Sequence, residues 1–168
     1  MADVDIVLDA NRAAVNDLIA AAEKCGSRWT APRAPGKWSP SQVVEHVALA
    51  LEESAHVVSG EPSKFPSLPA FVRPLVRGLV FKRVLKKNAF PKAKTNKAMN
   101  PASGPATTAE ARGRLDGAFA KFERACRERA AQGQTVESTV FGTVSVEDYA
   151  RFMALHTRHH CKQVVSAD

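Results

Sequence analysis

The chain has 168 residues, of which 45% are hydrophobic, and we expect one domain over residues 1–168 with a single core. Its net charge of +7 favours an anionic partner but does not distinguish nucleic acid, an anionic membrane and a small anionic substrate. No apolar run is long enough to span a membrane, and the acidic N-terminus does not resemble a secretory signal, so we expect a cytoplasmic protein.

The first two helices are predicted from apolar spacing and from helix-start signals. Apolar residues three and four apart indicate a helix over residues 4–24. Ser39 is suited to cap a second helix, with Pro40 at its first position and Gln42 completing a capping box. This helix is expected to end near residue 58, and Trp38 just before it is expected to anchor the incoming chain.

The middle of the chain is strongly basic and interrupted by proline. A third helix is predicted over residues 71–87, disturbed near Pro74 and Gly78, and a long loop over residues 88–105. We expect the apolar residues of the helix to be buried in the core. No acidic residue occurs between Lys64 and Lys97. The cations of this region are Arg73, Arg77, Lys82, Arg83, Lys86, Lys87, Lys92 and Lys94.

The last third of the chain predicts two more helices. A capping box at Thr107 and Glu110 begins a helix that continues to about residue 131. Residues 132–143 are expected to form an extended connection with one strand-like piece. Ser145 then caps the final helix. These signals together predict an all-α helical bundle.

The cysteines are odd in number and widely spaced, at positions 25, 126 and 161. They lack Cys-x-x-Cys pairing, which argues against a disulfide framework and against a thiolate zinc site. We therefore expect three reduced thiols.

The strongest chemical signal is a pair of histidines in the last helix. His156 and His160 are four residues apart, so they differ by about 40° around a helix and can converge on one divalent ion. Two histidines on a surface stripe are an equally good interpretation of that spacing alone. Gln163 shares their face and can orient a ligand. His46 in the second helix is the best candidate for a third ligand.

Two residues of the second helix lie on the same side as His46. Glu53 is a candidate general base, or a carboxylate that orients a metal ligand, although an ordinary solvated or salt-bridged helix residue is the preferred interpretation. Gln42 is already explained by the capping box. His56 and His159 do not share the required faces and are treated as flanking groups.

Three imidazoles leave a coordination position open, which is typical of a catalytic rather than a structural metal site.

These residues together resemble the DinB-like (DinB/YfiT-like) superfamily of metal-dependent enzymes. The resemblance covers roughly residues 38–165. It rests on the run Trp38-Ser39-Pro40-Ser41-Gln42 ahead of His46, on Phe141-Gly142, and on His156, His160 and Gln163. It implies a four-helix bundle, here with an additional basic helix and loop insertion.

The resemblance also implies a cofactor and a range of reactions. One histidine of the second helix and two of the last helix hold a divalent metal in that family, which places the ligands at His46, His156 and His160. Nickel or zinc is the expected ion, with iron or manganese as alternatives. Family activities include thiol-dependent transferases acting with bacillithiol or mycothiol, a mycothiol-dependent isomerase, and metal-dependent hydrolases.

Three functional hypotheses follow. The first is a metal-dependent S-transferase or hydrolase, with Gln163 and Glu53 assisting catalysis and a basic lid from residues 82–97 attracting a small anionic substrate or low-molecular-weight thiol. The second is a non-catalytic metal-binding or stress-response protein. The third places residues 71–97 on an anionic membrane or nucleic acid. We expect the first, with no nucleic acid or membrane partner and with a homodimeric assembly.

Overall fold

Four long helices pack side by side and enclose the core. The computed structural model describes residues 2–91 and 95–165, so Lys92 and Lys94 lie outside the described residues. Its helices are α1 (Ala2–Glu23), α2 (Pro40–Ser59), α3 (Arg73–Val76), α4 (Lys82–Lys87), α5 (Thr108–Ala131) and α6 (Val146–Val165). The bundle consists of α1, α2, α5 and α6.

Each bundle helix contacts two main neighbours. Helix α1 packs against α6 and α5, and α2 packs against α5 and α6. The centre is filled by apolar side chains from all four of these helices, including Leu18, Leu51, Leu115, Phe119 and Met153. The predicted all-α fold is therefore confirmed. Within the described residues, no helix is both long enough and apolar enough to cross a lipid bilayer.

Helix α2, which carries His46, begins as predicted. The Ser39 hydroxyl accepts a hydrogen bond from the Gln42 backbone N–H at 3.2 Å, and the Gln42 side chain accepts one from the Ser39 backbone N–H at 3.1 Å. Pro40 occupies the first turn, and Gly60 ends the helix with φ +78°. The capping box satisfies backbone donors that would otherwise lack partners.

The helix-start contacts predicted for α5 and α6 are only partly present. Ser145 accepts a hydrogen bond from the backbone N–H of Asp148, as expected for the cap of α6. Thr107 likewise accepts one from Glu110. The second half of the capping box predicted there is wrong, because the Glu110 carboxylate accepts from the backbone N–H of Ala106, one residue before the cap.

Half-buried ion pairs join α2 to α5. The Arg114 guanidinium lies between Glu45 and Glu52, at 3.1 Å and 2.7 Å, and Lys121 contacts Glu52 at 2.7 Å. Burial by itself would raise the pKa of Glu52, but the hydrogen bonds from Arg114 and Lys121 outweigh it and lower that pKa.

The predicted third helix is present and is irregular where expected. Helices α3 and α4 are joined by a π turn over Arg77–Phe81, which contains Gly78. The burial expected for its apolar residues is wrong for Phe71, Leu75 and Leu79, which are exposed. The segment has two apolar faces. Only the inner face, which carries Phe81, packs against the bundle.

A two-stranded hairpin replaces the single strand-like piece that we expected. Strands β1 (Val136–Ser138) and β2 (Gly142–Val144) pair antiparallel, with Val136 opposite Val144. The Ser138 hydroxyl accepts hydrogen bonds from the backbone N–H groups of Val140 and Phe141, which fixes the turn.

The chain ahead of α5 is fastened to the start of α2. A short 3₁₀ turn covers Lys97–Met99. The Pro105 carbonyl accepts hydrogen bonds from the Ser41 hydroxyl at 2.7 Å and from the Trp29 indole at 3.0 Å. Gly104 packs so closely on α2 that a Cβ placed there would lie 2.2 Å from the Ser41 carbonyl oxygen.

We predict that Gly104→Ala destabilises the protein by about 1–3 kcal/mol, because backbone atoms must move to admit the methyl group. Gly117→Ala in α5 is the matched control, since a Cβ there meets nothing within 4 Å and alanine favours a helix. Urea unfolding measures both. Equal stability of the two variants would contradict the close packing of this loop.

Candidate metal centre

The contact between α2 and α6 brings three histidine side chains to one point. The Nε2 atom of His156 lies 3.3 Å from Nε2 of His46 and 3.2 Å from Nε2 of His160. His46 and His160 are only 4% and 7% exposed. Their ring nitrogens form a group that can hold a metal ion.

The outer ring nitrogens of two of these histidines have hydrogen-bond partners. Nδ1 of His46 lies 2.7 Å from the carbonyl oxygen of Met99. A carbonyl only accepts, so Nδ1 carries the proton and Nε2 presents a lone pair to the centre. Nδ1 of His160 lies 3.0 Å from Oε1 of Gln163, and that contact selects the same tautomer.

His156 differs from the other two histidines. Its Nδ1 atom is buried and has no hydrogen-bond partner among the described residues. If all three rings are neutral, His46 and His160 carry their protons on Nδ1. At most one proton, on Nε2 of His156, then lies among the three Nε2 atoms. At least two lone pairs therefore converge with at most one proton to share, and a cation at the centre would stabilise them.

All three rings are held in the neutral form. Burial is the main cause that lowers the pKa of each, and the neighbouring imidazoles lower the pKa of His156 and His160 further. The pKa of His160 falls to about 3. Neutral imidazole is the form that binds metal, so the site needs little deprotonation near neutral pH.

The spacing of the donor atoms suits a divalent transition metal. Zinc–nitrogen bonds of about 2.1 Å at tetrahedral angles place ligand nitrogens about 3.4 Å apart. The two Nε2 separations, 3.3 Å and 3.2 Å, are close to that value. Three neutral nitrogen donors suit zinc, nickel or iron better than magnesium or calcium.

A cavity of about 590 Å³ opens beside the histidines. Its wall includes several aromatic side chains, among them Phe65, Phe90, Phe141 and Phe152. Trp38 also lines it, with its ring centroid 4.9 Å from that of His46. The indole N–H donates to the Asn100 side chain, so the anchoring residue expected before α2 also forms part of the site wall.

Positive charge lines this cavity without opposing carboxylates. Arg33 and Lys37 come from the connection between α1 and α2, and both side chains are exposed. The Arg33 guanidinium donates to the Gln163 backbone carbonyl at 2.8 Å, which holds it beside the end of α6. No carboxylate of the described residues lines the cavity. The cavity therefore favours an anionic ligand with an apolar part.

Residues 82–97, which we expected to form a basic lid, contribute uncharged residues to the cavity wall. The segment therefore contributes to the site differently from our expectation. It reaches the cavity through Phe90, Pro91, Thr95 and Asn96. None of its described cations lines the cavity, and all of them are exposed elsewhere on the surface. The cations of Arg33 and Lys37 were not identified from the sequence, since nothing local indicates that their loop faces His46.

Glu53 is separated from the cavity. Its buried carboxylate accepts a hydrogen bond from the Lys64 backbone N–H at 2.6 Å and lies 3.5 Å from the Lys64 ammonium. Glu53 does not line the cavity, so this placement favours a structural role over the expected catalytic one. His56 is beside Glu53, at 3.8 Å, and is likewise outside the cavity.

Gln42 contacts the loop ahead of α5, whereas His159 lies at the cavity. Gln42 donates to the carbonyl of Pro101 at 3.2 Å and so fastens the loop that carries Met99. His159 lines the cavity, and its Nε2 lies 3.2 Å from Nε2 of Gln163. Gln163 thus contacts two histidines and positions His160 directly.

The cysteines do not form part of the centre. Cys25 and Cys126 are buried and Cys161 is half-buried, and no two of them form a disulfide. Burial is the main cause that raises the pKa of Cys126, to about 12, and it also raises that of Cys161. The thiols of Cys126 and Cys161 are therefore protonated at neutral pH and are poor nucleophiles.

Comparison with known proteins identifies a family for the chain. The family model of the DinB superfamily matches residues 7–164, which include all three histidines. Neither a curated protein nor a solved structure matches the chain.

The neutral histidines predict a pH dependence for the metal-free protein. The pKa of His160 is about 3 in the folded protein, compared with 6.5 for the free side chain. Between these two pH values, the unfolded chain therefore binds the proton more readily than the folded protein. Stability is therefore full above pH 6.5 and falls as the pH decreases toward 3. Between pH 7 and pH 5, the free energy of unfolding should fall by about 2 kcal/mol less in His160→Gln than in the parent. Urea unfolding at the two pH values measures this difference.

The control is His56→Gln, which alters a histidine that is 45% exposed and outside the cluster. It should retain the pH dependence of the parent. A His160→Gln protein as sensitive to acid as the parent would show that burial of this imidazole does not govern acid stability.

Proposed function

The chain belongs to the DinB superfamily, and from its cluster of neutral histidines we propose that it is a metal-dependent enzyme. The observation that carries the proposal is the convergence of three imidazole nitrogens beside an aromatic cavity with a cationic rim. His46, His156 and His160 would hold the ion, with nickel or zinc as the proposed metal. A divalent metal held by three neutral donors supplies Lewis acidity, which lowers the pKa of a coordinated water or thiol.

The surrounding residues would position the ligands and the substrate. The Met99 carbonyl and the Gln163 amide oxygen hold His46 and His160 with Nε2 directed inward. This makes Gln163 a positioning residue. Arg33 and Lys37 would bind an anionic group at the mouth of the cavity, and the phenylalanines would contact the apolar part of the substrate.

We infer a thiol-dependent S-transferase or a hydrolase acting on a small anionic substrate. A cavity of about 590 Å³ is large enough for a low-molecular-weight thiol together with a small acceptor. Both reactions use the same Lewis acidity and the same anion-binding rim. They are distinguished by incubating the metal-loaded protein with a thiol and a fluorogenic chlorobimane acceptor, and separately with a panel of anionic esters and amides.

The metal assignment predicts the result of metal analysis. Untagged parent protein loaded with zinc or nickel should retain close to one ion per chain, and His160→Ala should retain none. Gln163→Ala should bind with about 10- to 100-fold lower affinity, because His160 loses the partner that fixes its tautomer.

His56→Ala is the control for the loss of an imidazole and should bind like the parent. Quenching of tryptophan fluorescence provides a second readout, because Trp38 adjoins His46. Retention of stoichiometric metal by His160→Ala would overturn the three-histidine assignment.

The proposed binding of an anionic group by Arg33 and Lys37, which form the cationic rim of the cavity, predicts a kinetic result. Arg33→Gln with Lys37→Gln should raise KM for an anionic substrate about three- to tenfold with little change in kcat, because exposed charges contribute binding rather than chemistry. A neutral analogue of the substrate should be unaffected.

Lys24→Gln with Arg124→Gln removes the same charge from exposed positions outside the cavity and serves as the control. An equal rise in KM for the control pair would indicate that overall charge, rather than the rim, attracts the substrate.

A further inference from the structure

An exposed row of large apolar side chains covers the outer face of α3 and the π turn. Phe71, Leu75 and Leu79 are 84%, 61% and 62% exposed, and Val80 adjoins them at 39%. We call these four residues the outer apolar row. Exposure of such a group at consecutive turns is unusual for a surface that contacts only water.

The row is separate from the part of this segment that stabilises the fold. Phe81, Val84 and Leu85 are buried on the inner face, and Phe81 packs 5.0 Å from both Phe141 and Phe152. The bundle therefore does not need the outer row. The row also makes no part of the histidine cavity.

Positive charge continues from the row along the same segment. Lys82, Arg83, Lys86 and Lys87 follow it on α4, all exposed. None of these four forms an ion pair with a residue in the described ranges. No acidic residue occurs in the sequence between Lys64 and Lys97. The segment thus combines exposed phenylalanine and leucine with cations that have no carboxylate partner in the described part of the chain.

We propose that this segment binds the surface of an anionic lipid bilayer, with the outer apolar row inserted among the lipid headgroups and the cations of α4 on the phosphates. Apolar and basic residues on one short helical segment are the features of an interfacial helix. The proposal revises our expectation of no membrane partner, which depended on burial of these apolar residues.

Charge complementarity favours a bilayer over the other occupants. If a second copy covered the row, the unpaired cations of two copies would approach one another. A nucleic acid would satisfy the cations but would leave Phe71, Leu75 and Leu79 without an apolar partner. An anionic bilayer offers partners to both. Since no described helix can span a membrane, the contact would be at the surface.

Vesicle cosedimentation tests the proposal. Parent protein should sediment with phosphatidylcholine vesicles that contain phosphatidylglycerol, less so at high salt, and should not sediment with phosphatidylcholine alone. Leu75→Ser with Leu79→Ser should reduce binding at least about tenfold, because two apolar side chains no longer insert. Both side chains are exposed, so the fold should be retained, as circular dichroism can verify.

Two controls are matched to the variants. Ile6→Ser removes an apolar side chain that is 66% exposed on α1, and it should bind like the parent. Lys82→Gln with Arg83→Gln should weaken binding to the anionic vesicles, whereas Lys24→Gln with Arg124→Gln, which removes one lysine and one arginine elsewhere, should not.

Three results would overturn the proposal. The first is absence of parent binding to the anionic vesicles. The second is equal loss of binding in the matched controls. The third is a dimer in sedimentation velocity that dissociates in the Leu75→Ser, Leu79→Ser variant, because the row would then be an interface between two copies. Each result is independent of metal binding and therefore of the proposed enzymatic function.

Discussion

The site depends on the packing of α2 against α6, which brings three imidazole rings together with little exposure to solvent. Burial is the largest cause that lowers the pKa of all three histidines. Charged imidazoles could not share this space, since like charges would repel at such short distances. The helix contact therefore fixes both the position of the rings and their protonation state, and the partners of His46 and His160 fix the direction in which each lone pair points.

The distribution of charge around the centre has a chemical consequence. Three neutral donors would leave the full positive charge of a bound divalent ion uncompensated, and the cavity adds Arg33 and Lys37 but no carboxylate from the described residues. An anion that enters would neutralise charge that the protein leaves unbalanced. A thiolate, a carboxylate or a phosphate ester all meet this requirement. Under the proposed function, the aromatic wall would discriminate among such ligands by the size and shape of their apolar part.

Local signals in the sequence were sufficient for much of the fold. The cap at Ser39, the spacing of His156 and His160, and the glycine in the π turn each depend on residues close in the chain. Tertiary features were not accessible in this way. Glu53 is on the side of α2 expected from its spacing, yet Lys64 engages its carboxylate. The sequence of the 71–87 segment likewise contains two apolar faces, and only packing determines which one is covered.

The carbonyl that fixes His46 belongs to the backbone of Met99 and not to its side chain. Evolution can therefore replace this methionine with any residue that fills the same buried space while the oxygen stays where it is. A deletion or insertion of one residue between Asn96 and Pro105 would shift that oxygen and turn the imidazole. The requirement is one of loop length, which a comparison of residue identities at single positions would overlook.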